Sequence, residues 1–248
     1  MSDLFGVAGR VAVVTGASAG IGQHLALSFA EAGAHVIAVA RRREALETLA
    51  AEHGAASIVA DLAAIEDFGA LAQALAEPFG APDILINAAG VNHREPYGAI
   101  TRATWDATLH LNLSVPFFLA RSLVPAMADR GDGAIVNVAS LQSVRAFPDS
   151  MAYGASKGGI VQLTRAMAEA WSGKGVRANA IAPGFFPTEL TQRVFGDPER
   201  AARNAAQTAI GRNGDLDDLV GPTLFFCSPA ARYVTGQVLF MDGGFTAK

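Results

Sequence analysis

A short apolar run that ends in a glycine-rich turn constrains this chain more than any other feature. Residues 11–14 read Val-Ala-Val-Val, and Thr15–Gly22 follow at once as Thr-Gly-Ala-Ser-Ala-Gly-Ile-Gly. A helical pattern then runs over residues 21–32, closed by Gly33 in the position after a helix end that favours glycine. A tight turn from a buried strand into a helix leaves the first helical N–H groups facing outward, which suits the pyrophosphate of a dinucleotide. The alternation continues: residues 36–39, 57–60, 84–86, 135–138, 177–181 and 238–241 read as strands, and 43–53, 65–75, 101–128, 151–171 and 216–227 as helices. Apolar strands alternating with helices imply a parallel sheet covered on both faces.

The second informative stretch is Tyr153–Lys157, Tyr-Gly-Ala-Ser-Lys. Four residues of separation put the phenol and the ammonium on one helix face. A cation there favours phenolate and makes Tyr153 a proton donor and acceptor near neutral pH.

Composition removes several alternatives. The chain has 248 residues, 51% of them hydrophobic, enough for a large core within one α/β domain. A net charge of −4 argues against nucleic acid or an anionic membrane as main partner. Cys227 is the single cysteine, so no intrachain disulfide forms, which suits a reducing cytosol. The N-terminus, Met1-Ser-Asp-Leu-Phe-Gly, shows no secretion signal, and no uninterrupted apolar run reaches bilayer length. The five histidines lack HExxH or Cys/His spacing, so no metal is expected. The expected place is the cytoplasm. With no repeat or long polar linker, one domain is expected over residues 1–248, with a cofactor-binding part at about 8–140 and a catalytic and substrate part at about 140–248. Residues 185–214 are less regular and read as a lid.

Six ordered motifs resemble the short-chain dehydrogenase/reductase family over essentially the whole chain. They are Thr15-Gly16-x-x-x-Gly20-x-Gly22, Asn87-Ala-Ala-Gly90, Asn112 in the long helical pattern, Ser140 thirteen positions before Tyr153, Tyr153-x-x-x-Lys157, and Pro183-Gly184-x-x-x-Thr188. The resemblance implies a Rossmann-type, doubly wound parallel sheet of seven strands in three α/β/α layers, in the order 3-2-1-4-5-6-7. It implies a catalytic set of Asn112, Ser140, Tyr153 and Lys157. Tyr153 moves the proton, Lys157 lowers its pKa and reaches the nicotinamide ribose, and Ser140 hydrogen-bonds the substrate oxygen. Asn112, among Leu109, Leu111, Leu113 and Val115, needs hydrogen-bond partners, and a helix distortion there is the family's answer. Cofactor contacts are expected from Gly16, Ser18, Gly20, Ile21, Gly22, Arg41, Asp61, Leu62, Asn87, Ala88 and Gly90. Further contacts are expected from Tyr153, Lys157, Pro183, Gly184, Phe186 and Thr188.

Ala40 stands where NAD-preferring relatives carry an acid, and Arg41 follows it. Without a carboxylate a 2′-phosphate is not repelled, and a guanidinium fork can pair with it. The cofactor is therefore expected to be NADP, with NAD the alternative, and Arg42 and Arg43 read as a solvated helix start. The stretches Ser140-Leu-Gln-Ser143, 181–192 and 238–247 resemble gluconate 5-dehydrogenases and related sugar-acid or polyol dehydrogenases. Those relatives tend to follow Ser143 with an acid and Gly, where this chain has Val144-Arg145-Ala146-Phe147. Substrate contacts are expected from Ser140, Gln142, Tyr153, His93 and Arg145, with Arg94 a further polar candidate and Phe185, Phe186 and Phe195 a possible apolar lid. The alternatives are a reductase of 3-oxoacyl thioesters on acyl carrier protein and a non-catalytic nucleotide-binding protein. An apolar C-terminal edge strand, 238–241, needs cover, and the family packs it across a two-fold axis, which implies a homotetramer.

Overall fold

The computed structural model describes residues 4–248. Its strands form one parallel sheet in the order β3-β2-β1-β4-β5-β6-β7, as the resemblance implies. They are β1 Val11–Thr15, β2 His35–Ala40, β3 Ala56–Val59, β4 Ile84–Asn87, β5 Gly133–Val138, β6 Val176–Pro183 and β7 Val238–Met241. The chain reverses direction between β1 and β4, and a ligand crevice opens at that switch point beyond the strand ends.

The period-two alternation of β1 explains the two cores. Ala12 and Val14 face one side, with Leu25 and Phe29 of α1 (Gly20–Glu31) and Phe226 of α9 (Val220–Cys227). Val11 and Val13 face the other, with Leu71 and Leu75 of α3 (Phe68–Ala76) and Leu119, Leu123 and Met127 of α5 (Val115–Arg130). The inner strands β1, β2, β4, β5 and β6 bury both faces, whereas the edge strands β3 and β7 stay partly open. The remaining helices are α2 Arg43–His53, α4 Arg102–Leu109, α6 Met151–Trp171, α7 Gln192–Phe195 and α8 Pro198–Gln207.

Three helical patterns are more broken than expected. Over 65–75, Asp61 caps a short turn, Leu62–Ala64, and Asp67 accepts from Gly69 and Ala70 N–H, so α3 starts only at Phe68. Over 216–227, a 3₁₀ turn at Leu216–Leu219 precedes α9. The pattern 101–128 is a continuous helical run interrupted by a π segment, His110–Ser114, between α4 and α5. That run, Arg102–Arg130, has the length and mean apolarity of a membrane-crossing helix, which a search for uninterrupted apolar stretches passes over. Packing on the sheet accounts for its apolar face. The irregular stretch 185–214 contains a turn at Glu189–Thr191 followed by α7 and α8.

Candidate active site

The ends of β1, β4, β5 and β6 open into one groove of about 530 Å³, within the range of small-molecule sites. Its floor at the glycine turn is made of backbone. Gly16 has φ +69, and a Cβ there would lie 2.9 Å from the Ala89 backbone; a Cβ at Gly22 would lie 2.5 Å from the Gly16 carbonyl. Thr15 Oγ1 accepts from the N–H groups of Ala88 (3.0 Å) and Ala89 (3.1 Å), tying the turn to the exit of β4. Ala19 stands at the N-cap of α1 and offers no side-chain oxygen, so the first N–H groups of the helix stay available to an anion. These features fit a dinucleotide pyrophosphate.

Of the expected cofactor contacts, Gly16, Ser18, Gly20, Ile21, Gly22, Arg41, Asp61, Leu62, Ala88 and Gly90 line this groove, as do Tyr153, Lys157, Pro183, Gly184, Phe186 and Thr188. Asp61 also caps its turn, accepting from Ala63 N–H at 3.1 Å. Asn87 is a correction. It is buried under the groove, and its Nδ2 donates to Asn137 Oδ1 at 2.9 Å; Asn137 in turn donates to Thr164 Oγ1 at 2.9 Å. A buried amide needs such partners, and this network turns the Asn87 side chain inward.

The four expected catalytic side chains converge at the inner end. Asn112 sits in the π segment, buried, donating to Val91 O (2.9 Å) and Ser156 Oγ (3.0 Å) and accepting from Val91 N–H (2.8 Å). The π turn aims this amide sideways out of the helix, a common use of such bulges. Lys157 is buried and donates to Val138 O at 2.5 Å. Burial pulls its ammonium down to about 8. Ser140 accepts from Gln142 N–H at 3.1 Å and also hydrogen-bonds the Tyr153 phenol.

Burial raises the Tyr153 phenol above its usual pKa, and the groups that oppose this are Ser140, by its hydrogen bond, and the Arg94 guanidinium, by its charge. Lys157 stands beside it: its Nζ donates to the Val138 carbonyl and lies over the Tyr153 ring, 5.6 Å from the centroid.

Arg94 is unusual on three counts. It is the one non-glycine residue with positive φ (+53) among the described residues, a conformation that costs an L-residue energy. Its Nε is buried without a hydrogen-bond partner. Burial lowers its pKa, Tyr153 and Asp149 oppose that, and Arg193 of α7 and Arg200 of α8 add to it. His93 is exposed and lines a small adjoining cavity with Arg94, Asp149, Ser150 and Tyr153, not the groove itself. Gln142 also stands outside the groove lining, its Oε1 buried and unpartnered. Arg145 is a correction: it is exposed, with its guanidinium over the Phe245 ring at 5.8 Å. Phe185 packs edge-on against Phe147 and Phe245, Phe186 lines the groove, and Phe195 is half-buried.

Sequence reasoning missed Arg42 and Glu189. Arg42 does stand exposed at the N-cap of α2, and its side chain also crosses the groove mouth to Ser18 and Glu189. Arg43 does behave as expected, 3.7 Å from Glu47 on the outside of α2. No local pattern announces a pair 147 positions apart.

A family model described as enoyl-(acyl carrier protein) reductase matches residues 16–246. The gluconate 5-dehydrogenase of Gluconobacter oxydans (strain 621H) is 39% identical, with 98% of this chain and 97% of that protein covered. The galactitol 2-dehydrogenase (L-tagatose-forming) of Cereibacter sphaeroides is 40% identical, with 98% and 97% covered. Among solved structures, a gluconate 5-dehydrogenase from Burkholderia cenocepacia J2315 in complex with NADP and tartrate superposes with a TM-score of 0.94. It is 37% identical, and the alignment covers 100% of this chain and 99% of that one.

Proposed function

The chain belongs to the short-chain dehydrogenase/reductase family and is an oxidoreductase of alcohol groups; within that family we propose that it moves hydride between NADP(H) and the secondary alcohol of a sugar acid or related polyol. The observation that carries the substrate class is Arg94. A guanidinium in strained backbone, with a buried, unpartnered Nε beside the Tyr153 phenol, has the chemistry to take a carboxylate. An unmade charged hydrogen bond in such a place is costly until a ligand supplies it. The relative crystallised with tartrate, a hydroxy dicarboxylate, supports the same reading.

When bound, the dinucleotide supplies or accepts the hydride. The groove residues described above hold it, with Gly16, Gly20 and Gly22 giving its pyrophosphate close approach. Tyr153 takes or returns the proton of the reacting hydroxyl, and Ser140 hydrogen-bonds the same oxygen where charge develops. Lys157 holds the nicotinamide ribose, and Asn112 fixes the backbone at Val91 beside it. The division of labour near residue 140 belongs to this proposal, with the qualification that Pro183–Thr188 returns to line the cofactor groove.

Consumption of NADPH with keto-sugar acids, matched neutral ketoses and an acetoacetyl thioester tests the reading. Turnover is expected with the acids, and weaker turnover with the neutral ketoses. Preference for the thioester would favour acyl reduction instead. The proposal extends to a homotetramer working in the cytoplasm on a small molecule alone, without nucleic acid or membrane. It is supported by the uncovered edge strand, where Leu239 is 40% exposed, and by the fully exposed Tyr233 nearby.

A further inference from the structure

One side chain joins the two walls of the cofactor groove. Arg42, at the end of β2, donates from Nε to Ser18 Oγ (3.1 Å) and from Nη2 to the Ser18 carbonyl (3.2 Å), both in the phosphate turn. Its Nη1 donates to Glu189 Oε1 (2.8 Å) on the opposite wall. Glu189 is held there by a stiff turn: Thr191 Oγ1 accepts from Thr188 N–H (2.9 Å) and donates to Phe186 O (2.5 Å). The walls touch at this point, because a Cβ on Gly20 would lie 3.2 Å from the Thr188 side chain. Side chains of both partners are more than half exposed, 51% for Arg42 and 67% for Glu189. Such a pair is weak and exchanges partners readily. Ala40, at the end of β2, leaves this corner without an acid of its own, and Glu189 brings one across from the other wall.

We propose that Glu189 competes with the 2′-phosphate of NADP(H) for the Arg42 guanidinium, and so limits the preference of this chain for NADP(H) over NAD(H). The inference rests on the NADP(H) reading above. A guanidinium fork pairs well with one anion at a time. A phosphate brought to Arg42 meets the Glu189 carboxylate beside it, and like charges at this range repel. The 2′-hydroxyl of NAD(H) brings no charge and leaves the pair as it is. Glu189 is therefore a specificity-determining residue that acts against the phosphorylated cofactor.

The test is a calorimetric titration of Glu189→Gln and Glu189→Ala with NADP⁺ and with NAD⁺. The Kd for NADP⁺ is expected to fall about two- to five-fold, the size an exposed ion pair supports, while that for NAD⁺ stays unchanged. In an Arg42→Ala background the gain from Glu189→Gln is expected to shrink to less than half, since the two side chains act on one site. An unchanged or weaker affinity for NADP⁺, or an equal shift for both dinucleotides, would overturn the inference. Failure of the unmutated protein to bind NADP⁺ would instead overturn the cofactor reading itself.

Discussion

The cofactor groove and the substrate region beside it are built from different materials. The first is backbone: Gly16 and Gly22 admit no Cβ, and Thr15 spends its hydroxyl on the N–H groups of Ala88 and Ala89. The second is side chain: Arg94 and Gln142 each keep a buried polar atom without a partner, and Arg94 also keeps a strained φ. A backbone wall is finished when the chain folds. A region with orphaned buried atoms carries a desolvation cost until a ligand meets them. The comparison points to substrate discrimination by side chains beside the groove and pyrophosphate holding by its backbone floor, with Tyr153 at the seam.

The largest expected effect tests that seam. Tyr153→Phe should lower kcat by about 10²–10⁴-fold, the range of general acid–base catalysis, with the Kd for NADP⁺ from calorimetry little changed. A variant with near-normal turnover would move the proton transfer elsewhere. Arg94→Ala comes next, and it tests the substrate region alone. Loss of a charged hydrogen bond worth about 1.5–3 kcal/mol should raise KM for a sugar acid about 10- to 100-fold. With a neutral polyol the same variant should behave almost normally. Equal losses for both substrates would show that Arg94 acts on Tyr153 and not on a carboxylate.

The same contrast explains what could be read in the chain before its structure. The two-sided core and the glycine turn follow from local patterns, since β-branched runs, helix periods and turn glycines act on near neighbours, whereas strand order came only with the family resemblance. Asn112 was legible for a similar reason, as an amide stranded in an apolar helix. Burial of the Asn87 side chain under the groove and exposure to it look alike in a linear motif; only the Asn137–Thr164 network separates them. Arg145 looked like a pocket residue by position, and the Phe245 ring at the far end of the chain draws it away. The Arg42–Glu189 pair and the pull of Arg94 on Tyr153 depend on tertiary placement, and no local rule supplies that.

Lys157 sharpens the comparison through pH. Burial lowers its pKa from 10.5 to about 8. Below pH 8 the folded protein therefore carries the full cost of a buried charge. As pH rises from 8 towards 10.5, the unfolded chain keeps a proton that the folded one releases, and this contribution to stability improves. Lys157→Met should thus stabilise the fold at pH 7 by up to about 3 kcal/mol, less about 1 kcal/mol for the lost Val138 hydrogen bond. The gain should fade above pH 10. Urea unfolding at pH 7 and pH 10.5 checks it, and a gain that does not depend on pH would mean that packing, not charge, is responsible. Activity should be lost in either case, the usual exchange at a catalytic position.

The smallest effect separates two adjacent arginines on the cofactor wall. The chain alone points to Arg41 as the reader of a 2′-phosphate, since it directly follows Ala40. In the structure Arg41 is exposed and makes no hydrogen bond among the described residues, whereas Arg42 is anchored by Ser18 at the same rim. An anchored guanidinium has less freedom to lose on meeting a phosphate, while a free one contributes mainly a screened charge. Arg41→Ala should weaken NADP⁺ about two-fold at low salt, within the range of an exposed charge pair, and the effect should vanish near 1 M salt, where the screening length is about 3 Å. Arg42→Ala should weaken NADP⁺ more, and part of its effect should survive salt because it rests on aligned hydrogen bonds. NAD⁺ should respond little to either change. Titrations at two ionic strengths decide the matter: a larger, salt-resistant loss from Arg41→Ala would return the phosphate to the residue that the chain alone suggests.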